Sequence, residues 1–272
     1  MITITDKEFE QLSAYIKTNY GIYLKHEKTT LVIGRLQNVL LQNGFKSFSE
    51  YYDYLIQDKT GLAVSTLLDK ITTNHTFFMR EADHFTLFRD VVLPYIIASN
   101  TERDLRVWCA GCSSGEEPYT LAMIIDEVLG KDKLFWDSKI LATDISTKVL
   151  EEAKRGIYSN KEVDTLPSKW RLAYTKKVDN ENSVFIDRIR NEVIYRKFNL
   201  MEKVFPFKKQ FHVIFCRNVM IYFDEKTKNT LINKYYDLLV PGGYLFVGHS
   251  ESLNREESRF RYVQPAVYRK IL

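Results

Sequence analysis

Apolar positions recur every three or four residues through the first quarter of the chain: Phe9, Leu12 and Ile16, then Leu31, Val32, Leu36, Val39 and Leu40. A helix places residues at that interval on one face, so the pattern predicts roughly four short helices over residues 5–70. Asn19-Tyr20-Gly21, Asn43-Gly44 and Lys59-Thr60-Gly61 signal turns, and Ser47 or Ser49 caps the helix carrying Tyr51, Tyr52 and Leu55. Residues 1–70 are therefore expected to form a small all-α domain. Residues 71–90 read as a polar connector whose aromatic pair, Phe77 and Phe78, is more than a linker needs and should pack over a later pocket. An amphipathic helix follows to Ile97.

From residue 105 the rhythm changes. Leu105, Val107 and Trp108 are strand formers that run into a turn punctuated by Gly111 and Gly115, and Pro118 suits the first position of a helix reaching residue 129. Strand then helix repeats: 140–143 ending at Asp144, then a helix capped by Ser146 and closed by Gly156. Strands follow at 194–198, ending at Asn199, and at 211–215, ending at Cys216-Arg217-Asn218. A helix over 224–239 leads through a Pro241-Gly242-Gly243 turn to strands at 244–248 and 266–269. This alternation predicts an α/β domain over residues 91–272 built on a mainly parallel, Rossmann-like sheet. Between 170 and 197 the short alternating runs 183–186 and 192–195 predict a small antiparallel β insertion.

Composition narrows the function classes. Hydrophobic residues make up 45% of the 272 and aromatics 14%, ample for a globular core. The longest apolar run, 91–98, is broken by Pro94 and falls far short of the roughly 20 residues of a membrane span. Asp6, Lys7, Glu8 and Glu10 stand where a signal peptide would be apolar, so no membrane insertion and a cytoplasmic location are expected. The 39 basic residues against 35 acidic leave a net +4, too balanced for a nucleic-acid coat, and no nucleic-acid partner is expected. Cys109 and Cys112 have Cys-x-x-Cys spacing, but a structural zinc wants four ligands. They read as small residues in a tight turn, and no metal is expected.

In an open parallel sheet a ligand lies beyond the carboxyl ends of the strands. Gly111, Asp144, Asn199, Asn218 and His249 all fall there. Asp144 follows Gly111 by a little more than the interval at which a strand-end carboxylate meets a ribose. A pyrophosphate would want a third glycine at the next helix N-terminus, where Glu116 and Glu117 stand instead. Two carboxylates repel phosphate and suit a cofactor with hydroxyls and a cationic centre, S-adenosylmethionine.

The stretches 73–81 (Thr-Asn-His-Thr-Phe-Phe-Met-Arg-Glu), 114–119 (Ser-Gly-Glu-Glu-Pro-Tyr), 142–145 (Ala-Thr-Asp-Ile), Asn199-Leu200, 215–223 (Phe-Cys-Arg-Asn-Val-Met-Ile-Tyr-Phe) and Gly248-His249-Ser250-Glu251 together resemble the chemotaxis receptor methyltransferases, the CheR family. The resemblance covers nearly all of the chain. It implies transfer of a methyl group from S-adenosyl-L-methionine to glutamate side chains of chemoreceptors, giving glutamyl methyl esters and S-adenosyl-L-homocysteine. It implies cofactor contacts at Asn74, Thr76, Arg80, Glu117, Asp144, Asn199, Leu200, Arg217 and Asn218. His75 and Met79 depart from the family pattern and are assigned none.

That chemistry agrees with the residues. Glutamate, with a pKa of about 4.3, is already an anionic nucleophile and needs no general base. The enzyme's task is alignment and removal of water. Residues 218–222 lack the paired prolines of the Asn-Pro-Pro-Tyr motif in many amino-group methyltransferases, which disfavours an amine acceptor. Arg80, a fork for a carboxylate, and Tyr222, an uncharged donor, are expected on the acceptor side as catalytic residues.

Lys28 and Arg35 project from nearly one side of a predicted helix. They form either a solvated face or a docking edge for the receptor's glutamate-rich cytoplasmic helical bundle. In some relatives the insertion grips a peptide at the receptor's C-terminus through a glycine-containing loop; here residues 176–183 contain no glycine, so a partner without a tether peptide is expected. Two other readings stand beside this one: a methyltransferase with a small-molecule or RNA acceptor, and a module that senses the cofactor without turnover.

Overall fold

The computed structural model describes residues 2–254 and 256–271; positions 1 and 272, the outer ends of the two predicted domains, lie outside the described residues. Helices α1 (Asp6–Tyr20), α2 (Thr29–Gln42), α3 (Phe48–Gln57) and α4 (Leu62–Ile71) form the N-terminal unit. The predicted stripes face inward, except that Leu31 is exposed. Ser47 is the cap of α3, accepting from the Glu50 N–H, whereas Ser49 donates to Glu8. Lys28 closes a 3-10 turn ahead of α2 and is not on the same helix as Arg35.

The connector leads into α5 (Ala82–Leu87), one wide π turn over Phe88–Val92, and α6 (Leu93–Ser99). Pro94, which has no N–H to give to the preceding turn, is the second residue of α6, two places past the wide stretch.

Next come β1 (Val107–Ala110), α7 (Glu116–Leu129), β2 (Ile140–Asp144) and α8 (Thr147–Arg155). Pro118 is the third residue of α7, not the first, and still lies in the turn whose N–H groups have no helical partner. A small unit follows: β3 (Ile157–Ser159), α9 (Asn160–Val163), α10 (Ser168–Tyr174), β4 (Thr175–Lys177), β5 (Asn182–Phe185) and α11 (Asp187–Arg190). Its strands pair antiparallel in the order β3-β5-β4. The insertion therefore begins earlier than the window 170–197 and ends before 193.

Its β4–β5 turn, which has no glycine, is closed by an aspartate. Asp179 accepts from the N–H groups of Glu181 and Asn182, each at 2.7 Å, and no residue from 176 to 183 has a positive φ. The loop thus closes without the positive φ that a tight glycine bend would use.

The main sheet is completed by β6 (Val193–Lys197), β7 (Phe211–Cys216), α12 (Glu225–Leu238), β8 (Leu239–Val247), β9 (Phe260–Gln264) and β10 (Val267–Lys270). Its order is β6-β2-β1-β7-β8-β10-β9, with the first five strands parallel, β10 antiparallel to β8 and β9 antiparallel to β10. Pro241-Gly242-Gly243 is not a turn. It lies in β8 as an irregularity, with Phe211 pairing Leu239 but Val213 pairing Tyr244.

Two hydrophobic clusters lie on the two sides of the sheet. One joins α5, α6, α7 and the insertion, and in it the Phe78 ring lies 4.9 Å from Tyr158 and 5.6 Å from Phe185. The other runs without a break from Phe9 and Leu36 of the helical unit to Trp108, Ile214 and Leu245. The helical unit thus has no private core: it is fastened to the sheet, further by the Tyr23 N–H bond to the Tyr222 carbonyl at 2.7 Å and by the Lys17–Asp224 pair at 2.8 Å.

Candidate active site

A cavity of about 330 Å³ opens at the carboxyl ends of β1, β2 and β7, where the strand order reverses, with residues 72–77 of the connector on its wall. Asn74, Thr76, Arg80, Glu117, Asp144, Asn199, Leu200, Arg217, Asn218 and Tyr222 all line it. Lys28 and Arg35 do not line it. Phe77, 46% exposed, is on the wall, while Phe78 points into the core.

The turn after β1, where Gly111 lines the cavity, also needs its glycines for protein packing. Gly111 has φ 103°, and a Cβ there would lie 2.3 Å from Val219 Cγ2; Gly115 has φ 101° and would meet Ala153 Cβ at 2.8 Å. The turn is fixed from below by Asp144, whose carboxylate accepts from the N–H groups of Ser113 at 2.9 Å and Ser146 at 3.0 Å. Burial nevertheless pushes the Asp144 carboxyl above its ordinary range.

Arg217, only 7% exposed, is the electrostatic centre. It donates to Glu117 at 2.9 Å and to Glu81 at 3.1 Å, hydrogen-bonds the Arg80 carbonyl, and lies 5.1 Å from the Phe85 ring centre. Burial raises the Glu117 carboxyl despite the pull of Arg217. At Glu81 burial also pushes upward, but Arg217 and hydrogen bonds from His249 and Asn218 outweigh it and hold the group low. Glu81 was not singled out in the sequence: its motif was, but its partners are far along the chain. Among the described residues Glu81, His84 and His249 bring metal-ligand atoms within 4.8 Å of one another, yet the Glu81 oxygens are already taken by Arg217 and Asn218.

The two carboxylates at the start of α7 differ. Glu117 lines the cavity; Glu116 does not, being 3% exposed with its carboxyl accepting from the Ser114 hydroxyl. Burial pushes Glu116 up to about 7. The pairing of both glutamates against a cationic cofactor is thereby corrected to Glu117 alone.

Three other lining residues have structural partners. Arg80 donates to the His75 carbonyl at 2.7 Å. The Tyr222 hydroxyl accepts from the Thr73 N–H at 3.1 Å and lies 3.2 Å from the Thr73 carbonyl, pinning the connector. The Asn199 amide donates to the Asn19 carbonyl at 2.8 Å and accepts from the Met201 N–H, tying α1 to the loop after β6. Arg35 has no surface role in view: its guanidinium donates to the carbonyls of Lys70, Ile71 and Thr72 and to the Thr73 hydroxyl, at 2.8 to 3.2 Å. It caps α4, whose last carbonyls lack helical partners.

Family profiles match both parts of this architecture: "CheR methyltransferase, all-alpha domain" over residues 7–72 and "CheR methyltransferase, SAM binding domain" over residues 74–269. The chain belongs to the CheR methyltransferase family. It is 41% identical over 272 residues to the chemotaxis protein methyltransferase of Borreliella burgdorferi, covering 99% of this chain and 96% of that protein. It is 35% identical over 271 residues to the chemotaxis protein methyltransferase of Escherichia coli, covering 98% and 92%. Similarity to a probable chemotaxis protein methyltransferase of Rhizobium etli runs at 36% over 245 residues, covering 89% and 91%.

The protein is thus a CheR-type, S-adenosylmethionine-dependent methyltransferase, and the cavity fits that cofactor chemically. Asp144 and Glu117 are acceptors whose anionic forms burial disfavours, so a ligand bearing hydroxyls and positive charge relieves them. No helix among the described residues is long and apolar enough to cross a membrane.

Proposed function

We propose that this CheR-type enzyme esterifies glutamate side chains on the cytoplasmic helical bundle of chemoreceptors, working in the cytoplasm. Arg80 carries the reading. Its guanidinium is held on the cavity wall by a single hydrogen bond among the described residues, to the His75 carbonyl, which leaves further N–H donors for an incoming carboxylate. An ammonium acceptor would be repelled by the same group.

Bound S-adenosylmethionine supplies an electrophilic methyl group on a sulfonium. Asp144 would hold its hydroxyls, and Asn74, Thr76, Glu117, Asn199, Leu200, Arg217 and Asn218 would surround the rest. A carboxylate acceptor arrives ionised, so no side chain need take its proton. Arg80 and Tyr222 orient it, and Phe77 and Phe85 on the wall exclude water. Lys28, exposed beside α2, is the basic contact assigned to the receptor; Arg35, whose guanidinium bonds to the end of α4, stands second to it.

The test is transfer of labelled methyl to receptor fragments in a form released by mild base. Base-stable label, as an N-methyl group gives, would refute the reading, and so would cofactor binding with no transfer to any receptor fragment. The receptor partner is further proposed to lack a tether peptide: Asp179 closes the β4–β5 loop with no positive φ from 176 to 183, so the tight bend that such a peptide would lie beside is not formed. Calorimetry of the whole protein with receptor tail peptides decides it.

A further inference from the structure

Glu251 is buried, 6% exposed, just past the end of β8. Its Oε2 accepts from the N–H groups of Gly248 at 2.6 Å and Asn218 at 2.8 Å, and its Oε1 accepts from the Ile221 N–H at 3.1 Å. Among the described residues it has no ion-pair partner within 4 Å. A single carboxylate therefore gathers three main-chain donors from two loops, and those donors have no strand to pair with.

We propose that Glu251 is a positioning residue for methyl transfer: it fixes the conformation of the loop 217–222 and so sets where the methyl acceptor is held. The proposal rests on the methyl-transfer reading above. That loop places Arg217, Asn218, Ile221 and Tyr222 on the cavity wall. Its second residue, Asn218, stands at φ 59°, a left-handed conformation that asparagine tolerates better than other non-glycine residues. Glu251 bonds directly to the N–H of that residue. The strand side is fitted equally closely: a Cβ on Gly248 would lie 2.5 Å from Asn218 Nδ2 and 2.9 Å from Glu251 Oε2. Asp144, Asn199 and Leu200 belong to β2 and the loop after β6, and Glu251 hydrogen-bonds none of them.

A carboxylate is required because both its oxygens accept. Glutamine of the same shape would turn one oxygen into an NH₂ donor facing an N–H, either that of Ile221 or those of Gly248 and Asn218. The whole scaffold could stay folded while the loop shifts, and a small misplacement of reacting groups costs far more in rate than in binding.

The experiment compares Glu251→Gln, Glu251→Asp and Gly248→Ala with the wild type in the full chain, assayed on a receptor fragment. Glu251→Gln should lower kcat by about a hundredfold, well beyond any weakening of S-adenosylhomocysteine binding through Arg217 and Asn218 of the same loop, while KM for the fragment changes little. Gly248→Ala, which pushes the loop from the strand side, should give the same split, and Glu251→Asp should recover part of kcat. If Glu251→Gln does not fold, Gly248→Ala and Glu251→Asp carry the same test. Unchanged kcat in the folded variants, or cofactor affinity falling in step with kcat, overturns the proposal. A wild type that fails to methylate the fragment instead overturns the methyl-transfer reading itself.

Discussion

Arg217 and Glu117 meet at 2.9 Å, joining the end of β7 to the first turn of α7 across the cavity, with Glu81 on the other edge of the same guanidinium. Removing the cation leaves two largely buried carboxylates without a countercharge. Arg217→Ala should cost about 3–5 kcal/mol of stability, read by urea unfolding. Glu117→Gln should cost less, because Arg217 keeps Glu81. A smaller loss for Arg217→Ala than for Glu117→Gln would show that the pairing is not what stabilises this end of the sheet.

Glu116 gives a pH signature. Its folded pKa, about 7, lies above its unfolded value, so its contribution to stability is complete below the unfolded value and is lost as pH rises through about 7. Glu116→Gln retains an acceptor for the Ser114 hydroxyl and has no charge to bury. The variant should gain on the wild type by roughly 2–3 kcal/mol between pH 5 and 8. Urea unfolding at both pH values checks this, and a difference that does not move with pH contradicts it.

Lys28 and Arg35 should separate cleanly. Arg35→Ala strips the last carbonyls of α4 and should cost about 1–2 kcal/mol, with a matching drop in melting temperature. Lys28→Glu should leave stability alone, slow methylation of intact receptor and flatten its salt dependence. Unchanged receptor kinetics in Lys28→Glu would make that lysine a solvated residue.

Tyr222→Phe keeps the ring and removes the hydroxyl that faces Thr73. A stability loss of about 1 kcal/mol is expected, with turnover falling further than cofactor affinity. Equal falls would leave Tyr222 as a pin for the connector and nothing more.

Asp144→Ala should weaken S-adenosylhomocysteine binding by about 1.5–3 kcal/mol, measured by calorimetry. Unaltered affinity would confine Asp144 to holding the Ser113 turn.

The helical unit and the parallel strands were legible because their apolar spacing reports one buried face, and the cavity was legible because strand ends collect ligands. Strand β9 was not: only Phe260 of its five residues is buried, so no alternation marks it. Nor was β3, where Tyr158 alone is buried. Pro241-Gly242-Gly243 carries the chemistry of a turn, and only pairing with β7 keeps it inside a strand. Glu81, Glu251 and Arg35 act through partners distant in sequence, several of them main-chain atoms that are the same in every residue. A buried carboxylate accepting backbone N–H groups leaves no trace in spacing.

Phe78 ties the cavity wall to the insertion. The residue sits two places beyond Thr76 on the cavity wall, yet its ring is socketed between Tyr158 and Phe185 of the small sheet. Lifting the connector would draw that ring into water at a cost of about 1.5–3 kcal/mol. The insertion is thus an anchor as well as an appendage: it holds the connector from the side away from the cavity wall.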